Sequence, residues 1–121
     1  MKKILIIEDE AVLIDMYKEK LELEGFKVLL AFNVAEGLNL AKNEKPDLIL
    51  LDILLGEENG VSFLEKKKED KEISEIPVIV FSNYDNSIVK REAMKLGVKE
   101  YLLKTDFTPR EVIQKIKNHL K

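Results

Sequence analysis

Five short apolar runs punctuate the chain: Ile4 to Ile7, Phe26 to Phe32, Leu48 to Leu51, Val78 to Phe81 and Val98 to Leu103. Runs without apolar–polar alternation suit strands covered on both faces, because alternation appears only where one face is wet. Between the runs the apolar residues recur at helical spacing. Leu13, Tyr17 and Leu21 share one face, and Gly25 is placed to end that helix. Asn33 with Glu36 forms a variant capping box ahead of Leu38 and Ala41, and Pro46 closes the loop before the third run. Val61, Phe63 and Leu64 begin a short helix that dissolves into Lys66-Lys67-Lys68-Glu69-Asp70-Lys71-Glu72, a run expected to be solvated. Asp85 or Asn86 caps a helix through Ile88, Val89 and Met94, ended by Gly97. Thr108-Pro109-Arg110-Glu111 combines an N-cap, a proline at N1 and a glutamate at N3, so the last helix has a well-specified start.

Strand and helix therefore alternate five times, with no repeat and no linker. Crossovers of this length between parallel strands are right-handed and place helices on both sheet faces. The expected fold is α/β, a doubly wound five-stranded parallel sheet of flavodoxin-like order 2-1-3-4-5, forming one domain over residues 1–121. A two-layer plait is the rival, and it needs two-residue hairpins for which the sequence shows no signal.

Composition narrows the class without naming a function. With 45% hydrophobic and 36% charged residues in 121, the chain is globular and long enough for a real core. A net charge of -3 argues against a general nucleic-acid binder and leaves room for a local basic patch. The absence of cysteine removes disulfides and thiolate metal sites. No stretch approaches the roughly 20 apolar residues of a membrane span, and the apolar run after Met1-Lys2-Lys3 is too short for a signal peptide. A cytoplasmic domain without membrane contact is expected.

The candidate chemistry sits where the strands stop. Leu48 to Leu51 ends at Asp52, followed by the turn-forming Gly56, Asn59 and Gly60; Ile4 to Ile7 ends at Glu8-Asp9; the fourth run ends at Ser82 and the fifth at Lys104. A parallel sheet brings all these carboxyl ends to one edge, where open α/β sheets hold their ligands. Crowded carboxylates repel unless a cation joins them. All-oxygen ligation by few protein groups suits Mg²⁺, which keeps waters and takes phosphate oxygens in its open positions. Lys104 adds a mobile positive charge and Ser82 a hydroxyl. The set describes a phosphoryl site, with Asp52 as the candidate nucleophile.

In the acidic pair Glu8-Asp9, the Asp52…Asn59-Gly60 block, Ser82, Tyr101 and Lys104, the whole chain resembles a response-regulator receiver domain of the single-domain chemotaxis-regulator type. The resemblance implies that Asp52 takes a phosphoryl group from a sensor histidine kinase or phosphotransfer protein. Asp9, Asp52 and the Leu54 carbonyl would hold Mg²⁺, with Glu8 acting through water. Ser82 and Lys104 would bind phosphoryl oxygens, and Tyr101 would be the switch aromatic, reporting on a helix 4–strand 5–helix 5 face to an unknown downstream protein. Such a domain is a phosphoacceptor that assists its own phosphorylation rather than an enzyme, and a monomer or weak phosphorylation-dependent dimer. The sequence departs from the family at four places, one of them Asn83, which is larger than the common small residue after the hydroxyl position and implies narrower access to Asp52. Gly56 and Thr105 stand where prolines are usual, which implies a looser loop and a trans Lys104–Thr105 bond, and Lys99 replaces an aspartate common in receivers that dimerise through that face.

Other classes fit less well. A small-ester phosphohydrolase with an aspartyl-phosphate intermediate places a second aspartate two residues after the nucleophile, and here that position is Leu54. A degenerate interaction module has no need of Asp9, Asp52, Ser82 and Lys104 together. The five glycines never form a dinucleotide-cradling cluster. His119, among Lys117, Asn118 and Lys121, is expected to be a solvated histidine.

Overall fold

The computed structural model of the chain describes residues 1–120. The elements in chain order are β1 Lys3–Ile7, α1 Ala11–Leu23, β2 Lys27–Ala31, α2 Val34–Glu44, β3 Leu48–Leu51, β4 Leu54–Leu55, β5 Glu58–Asn59, α3 Val61–Glu69, β6 Val78–Ser82, α4 Ser87–Lys95, β7 Glu100–Leu103 and α5 Pro109–His119. Five of the strands form one parallel sheet in the order β2-β1-β3-β6-β7. With the short β4–β5 pair set aside, this is the expected 2-1-3-4-5 arrangement.

Alternate residues of the central strands feed two cores. Leu5, Ile7, Ile49 and Leu51 pack with Val34, Ala41, Phe63, Leu64 and Ala93, so α2, α3 and α4 cover one face. Ile4, Ile6, Leu48, Leu50, Ile79 and Phe81 pack with Tyr17, Leu21, Val112, Ile113 and Ile116, so α1 and α5 cover the other. Each fully buried leucine or isoleucine contributes about 1.5–3 kcal/mol, which is why the buried stretches Ile4–Ile7, Leu48–Leu51 and Val78–Phe81 are apolar up to their carboxyl ends.

Register then fixes where the polar residues emerge. Ile7 lies opposite both Ala31 and Leu51, so Glu8 and Asp52 come one step beyond the aligned apolar ends. The Asp52 N–H donates to the Ile7 carbonyl at 3.0 Å, tying the two acidic ends together. On the far side Ser82 pairs with Leu103, and the Lys104 N–H donates to the Ser82 carbonyl at 2.9 Å.

Several local expectations hold. Thr108 and Glu111 form a full capping box with Pro109 inside the first turn. Asn86, rather than Asp85, caps α4, accepting from Ile88 and Val89. Asn33 caps α2, while the Glu36 carboxylate reaches back to the Phe32 N–H at 2.8 Å. The Lys104–Thr105 bond is trans, as are all peptide bonds among the described residues.

Others are corrected. Residues 54–59 do make a two-residue hairpin: Leu54 pairs with Asn59 and Leu55 with Glu58, around Gly56 at φ +60°. A glycine first in a two-residue loop matches the twist of the flanking strands; two-residue strands are simply too short to show a period. In α1 the buried residues are Ile14, Tyr17 and Leu21, with Leu13 only half-buried. The charge run is not uniformly solvated. Lys67 is 7% exposed, and its Nζ donates to the Ser74 carbonyl at 2.8 Å, because the helix places it on the same side as Phe63 and Leu64. His119 is not free in solvent either, since its Nε2 lies 2.7 Å from a Glu100 carboxylate oxygen.

Candidate functional site

Asp52 leaves β3 with its side chain 4% exposed and still answered. Its Oδ1 accepts the Leu54 N–H at 3.0 Å, and its Oδ2 faces Lys104 Nζ at 3.1 Å. Glu8, also 4% exposed, accepts the Asp9 and Glu10 N–H groups on Oε2 and the Lys104 ammonium, at 2.7 Å, on Oε1. Lys104 thus spans the ends of β1 and β3 from the end of β7. Glu10 stands 3.7 Å from the same Nζ, and the Phe81 ring lies 6.0 Å below it. The sequence signal for Glu10 was its place in the acidic run; nothing local pointed to Phe81.

Gly60 makes the close packing at this edge possible. A Cβ there would lie 2.6 Å from the Asp52 carbonyl oxygen and 2.9 Å from Ile53 Cα, both backbone atoms. The Gly60 N–H also donates to the Ile53 carbonyl at 2.7 Å, closing the loop beneath the site.

The electrostatics are those of too many carboxylates for one ammonium. Burial lifts the Glu8 carboxyl most, the Lys104 hydrogen bond pulls it back, and the Asp52 charge adds to the rise, leaving it at about 7 instead of 4.5. For Lys104, burial works against the charge, but the Glu8 hydrogen bond and the Asp52 charge outweigh it and hold the ammonium above the usual lysine range. Carboxylate oxygens of Glu8, Asp9 and Asp52 all lie within 4.8 Å of one another. Three oxygen donors at that spacing, one of them exposed on Asp9, can share a hard cation.

The remaining candidates form a second group beside the first. Ser82 is fully buried, and its Oγ accepts the Tyr84 N–H at 3.2 Å instead of joining the carboxylates. Half-buried Tyr101 donates to the Tyr84 carbonyl at 2.6 Å. Burial first, and then the Asp52 charge, push its phenol up to about 12. The hairpin adds a link the sequence did not reveal. Glu58 Oε1 accepts the Val34 N–H at 3.2 Å, joining the loop after Asp52 to the start of α2, where a carboxylate is favoured by the helix dipole.

Comparison with known proteins agrees with this construction. Residues 4–117 match the model of the response regulator receiver domain. The chain is 33% identical over 116 residues, 96% of its length, to the alkaline phosphatase synthesis transcriptional regulatory protein PhoP of Bacillus subtilis (strain 168), covering 47% of that protein. Identity is also 33% over 116 residues, and coverage 96% of this chain and 50% of the relative, for the phosphate regulon transcriptional regulatory protein PhoB of Pseudomonas aeruginosa. The chain therefore spans about half the length of these curated relatives. Among solved structures, a CheY-like response regulator receiver domain protein from Methanospirillum hungatei JF-1 superposes with a TM-score of 0.90 at 32% identity, over 99% of this chain and 94% of that one. Sheet order, the acidic strand ends and a family match over nearly the whole chain converge: this chain belongs to the receiver domain family of two-component response regulators.

Proposed function

We propose that the whole chain, residues 1–121, acts as a Mg²⁺-dependent phosphoacceptor, with Asp52 as the residue modified. A carboxylate oxygen of Asp52 attacks the phosphorus of a phosphohistidine on a sensor histidine kinase or phosphotransfer protein. The O–P bond forms, the P–N bond breaks, and its electron pair returns to the imidazole nitrogen. The observation that carries this reading is the buried Asp52 carboxylate held between the Leu54 N–H and the Lys104 ammonium, at the carboxyl edge of the sheet.

Each neighbour has work that suits its position. The donor set fits Mg²⁺, since Glu8, Asp9 and Asp52 offer oxygens within 4.8 Å and have one ammonium between them. Asp9, Asp52 and the Leu54 carbonyl would hold the ion, with Glu8 contributing through water. Bound there, the ion supplies charge neutralisation for the incoming phosphoryl oxygens. Lys104 is within reach of Asp52 and takes one phosphoryl oxygen, and Ser82 takes another when its hydroxyl turns from Tyr84. Tyr101 then carries that movement to the face formed by α4, β7 and α5, where an unknown downstream protein reads it. No nucleic-acid contact is assigned to this domain. No helix among the described residues is long and apolar enough to cross a membrane, and a cytoplasmic setting suits the proposed chemistry.

Incubation with Mg²⁺ and acetyl phosphate, followed by intact mass, tests the reading. A labile phosphate adduct is expected on the wild type and none on Asp52→Asn. Turnover of small phosphate esters without an adduct would instead make the chain a hydrolase.

A further inference from the structure

On the opposite edge of the sheet, away from Asp52, four lysines converge on one groove. It is about 480 Å³ and lies between the C-terminal ends of α3 and α4, where the chain turns into β6 and β7. Its walls carry Lys67 and Lys68 of α3, Lys95 of α4 and Lys99 of the following loop, with Ile76, Pro77 and Leu96 as apolar surface. None of the four lysines takes part in an ion pair among the described residues. Lys67 is more than nine-tenths buried, with Nζ lodged on the Ser74 carbonyl. Burial first, offset by Glu75 and deepened by Lys99, keeps its ammonium below the usual lysine range.

Lysines in a last helical turn complement the helix dipole, and that accounts for Lys68 and Lys95. It does not account for Lys99, which is outside any helix, nor for the burial of Lys67. Four converging cations with the single carboxylate of Glu75 among them leave an excess of positive charge that an anionic ligand would offset.

We propose that this groove is a docking site for an acidic segment of a partner polypeptide. A polypeptide fits better than a nucleic acid for two reasons on the same surface. The lysines are interleaved with apolar Ile76, Pro77 and Leu96, which a phosphate backbone does not cover, and Glu75 in the wall is an acceptor for which a phosphate backbone has no donor. A peptide that alternates carboxylates with apolar side chains meets the lysines and the Ile76–Pro77–Leu96 surface together, and its N–H groups can donate to Glu75. Because the groove faces away from Asp52, docking is compatible with phosphorylation of the same molecule and does not depend on it.

The test is an amide chemical-shift titration of the isotope-labelled chain with a short peptide in which glutamates alternate with leucines and serines. Inorganic tripolyphosphate and a short DNA duplex are titrated in parallel. Saturable shifts are expected at Lys67, Lys68, Ser74 to Ile76 and Lys95 to Lys99. In the double variant Lys95→Glu, Lys99→Glu the affinity should fall about tenfold or more, with acetyl-phosphate labelling retained, since both side chains are exposed and far from Asp52. The proposal is overturned by absence of shifts at these amides or by equal affinity in the double variant. Tighter binding of tripolyphosphate or DNA than of the peptide overturns it as well.

Discussion

Tyr101 donates its hydroxyl hydrogen to the backbone carbonyl of Tyr84 across 2.6 Å, and the Tyr84 N–H donates in turn to Ser82 Oγ at 3.2 Å. The end of β6 and the middle of β7 are therefore joined through one loop residue. Movement of the Ser82 hydroxyl toward a group on Asp52 would break the Ser82–Tyr84 link and leave the Tyr84–Tyr101 link free to rearrange. Tyr101→Phe should cost about 1 kcal/mol in urea unfolding near neutral pH, the net worth of one hydrogen bond. The phenol is raised from 10 to about 12, so its contribution is present below pH 10 and is lost as pH climbs through about 12. The gap in stability between wild type and Tyr101→Phe should accordingly narrow across that window. A gap that stays constant through about pH 12 would show that the fold does not raise the phenol, and no gap near neutral pH would show that its hydrogen bond contributes nothing.

Gly60→Ala puts a methyl group against backbone atoms of Asp52 and Ile53. Backbone gives way less readily than a side chain, and overpacking of this kind costs about 1–3 kcal/mol. Both lower stability and slower acetyl-phosphate labelling are expected, because the displaced residue is Asp52 itself. Thermal melts together with labelling rates check the two effects; labelling at the wild-type rate in a destabilised variant would separate the loop from the chemistry.

The strand-end residues were legible in the sequence for a simple reason. Apolar runs that stop at Glu8, Asp52, Ser82 and Lys104 define four carboxyl ends, and parallel pairing carries those ends to one edge whatever the loops do. The sheet order followed from the same residues, since the ends of β1 and β3 must be neighbours to crowd Glu8 and Asp52. What escaped was set by tertiary contact. Lys67 looks like one of three solvated lysines until the Ser74 carbonyl is placed over it, although its spacing from Phe63 and Leu64 was a usable sign. The His119–Glu100 pair joins α5 to β7 across 19 positions with no motif between them. The hairpin of β4 and β5 is too short for periodicity, and only Gly56 marked it.

Asp9 is exposed while Glu8 and Asp52 are buried, so it is the carboxylate free to complete a cation site. Saturating Mg²⁺ should raise the melting temperature of the wild type; a ligand at about 100 times its Kd stabilises by about 2.7 kcal/mol. In Asp9→Asn that shift should largely vanish. An unchanged Mg²⁺-induced shift would refute Asp9 as a ligand.

By the receiver resemblance, Leu54 and Tyr84, two residues beyond Asp52 and Ser82, would flank the approach that water must use in line with the departing oxygen. Leu54 is 44% exposed and apolar, and Tyr84 is bulky with its hydroxyl facing the Asn86 amide at 3.4 Å, so neither offers a carboxylate, amide or small polar group to orient water. The phosphorylated form should decay slowly, and a polar side chain at either place should speed it by about tenfold, equivalent to about 1.4 kcal/mol in the barrier. Dephosphorylation of Leu54→Asn and Tyr84→Glu, followed after removal of the phosphodonor, decides the matter. Decay no faster than wild type in both would contradict this account of the lifetime.

Among the crowded carboxylates at this edge, phosphorylation is assigned to Asp52. Its most direct measurement is to label the protein with acetyl phosphate and Mg²⁺, reduce the acyl phosphate with borohydride, and map the peptides by mass. Reduction converts a phosphorylated aspartate to homoserine and leaves free carboxylates untouched. Homoserine at position 52, absent when Mg²⁺ is withheld, is the predicted result; homoserine at position 9, or label that survives in Asp52→Asn, would contradict it.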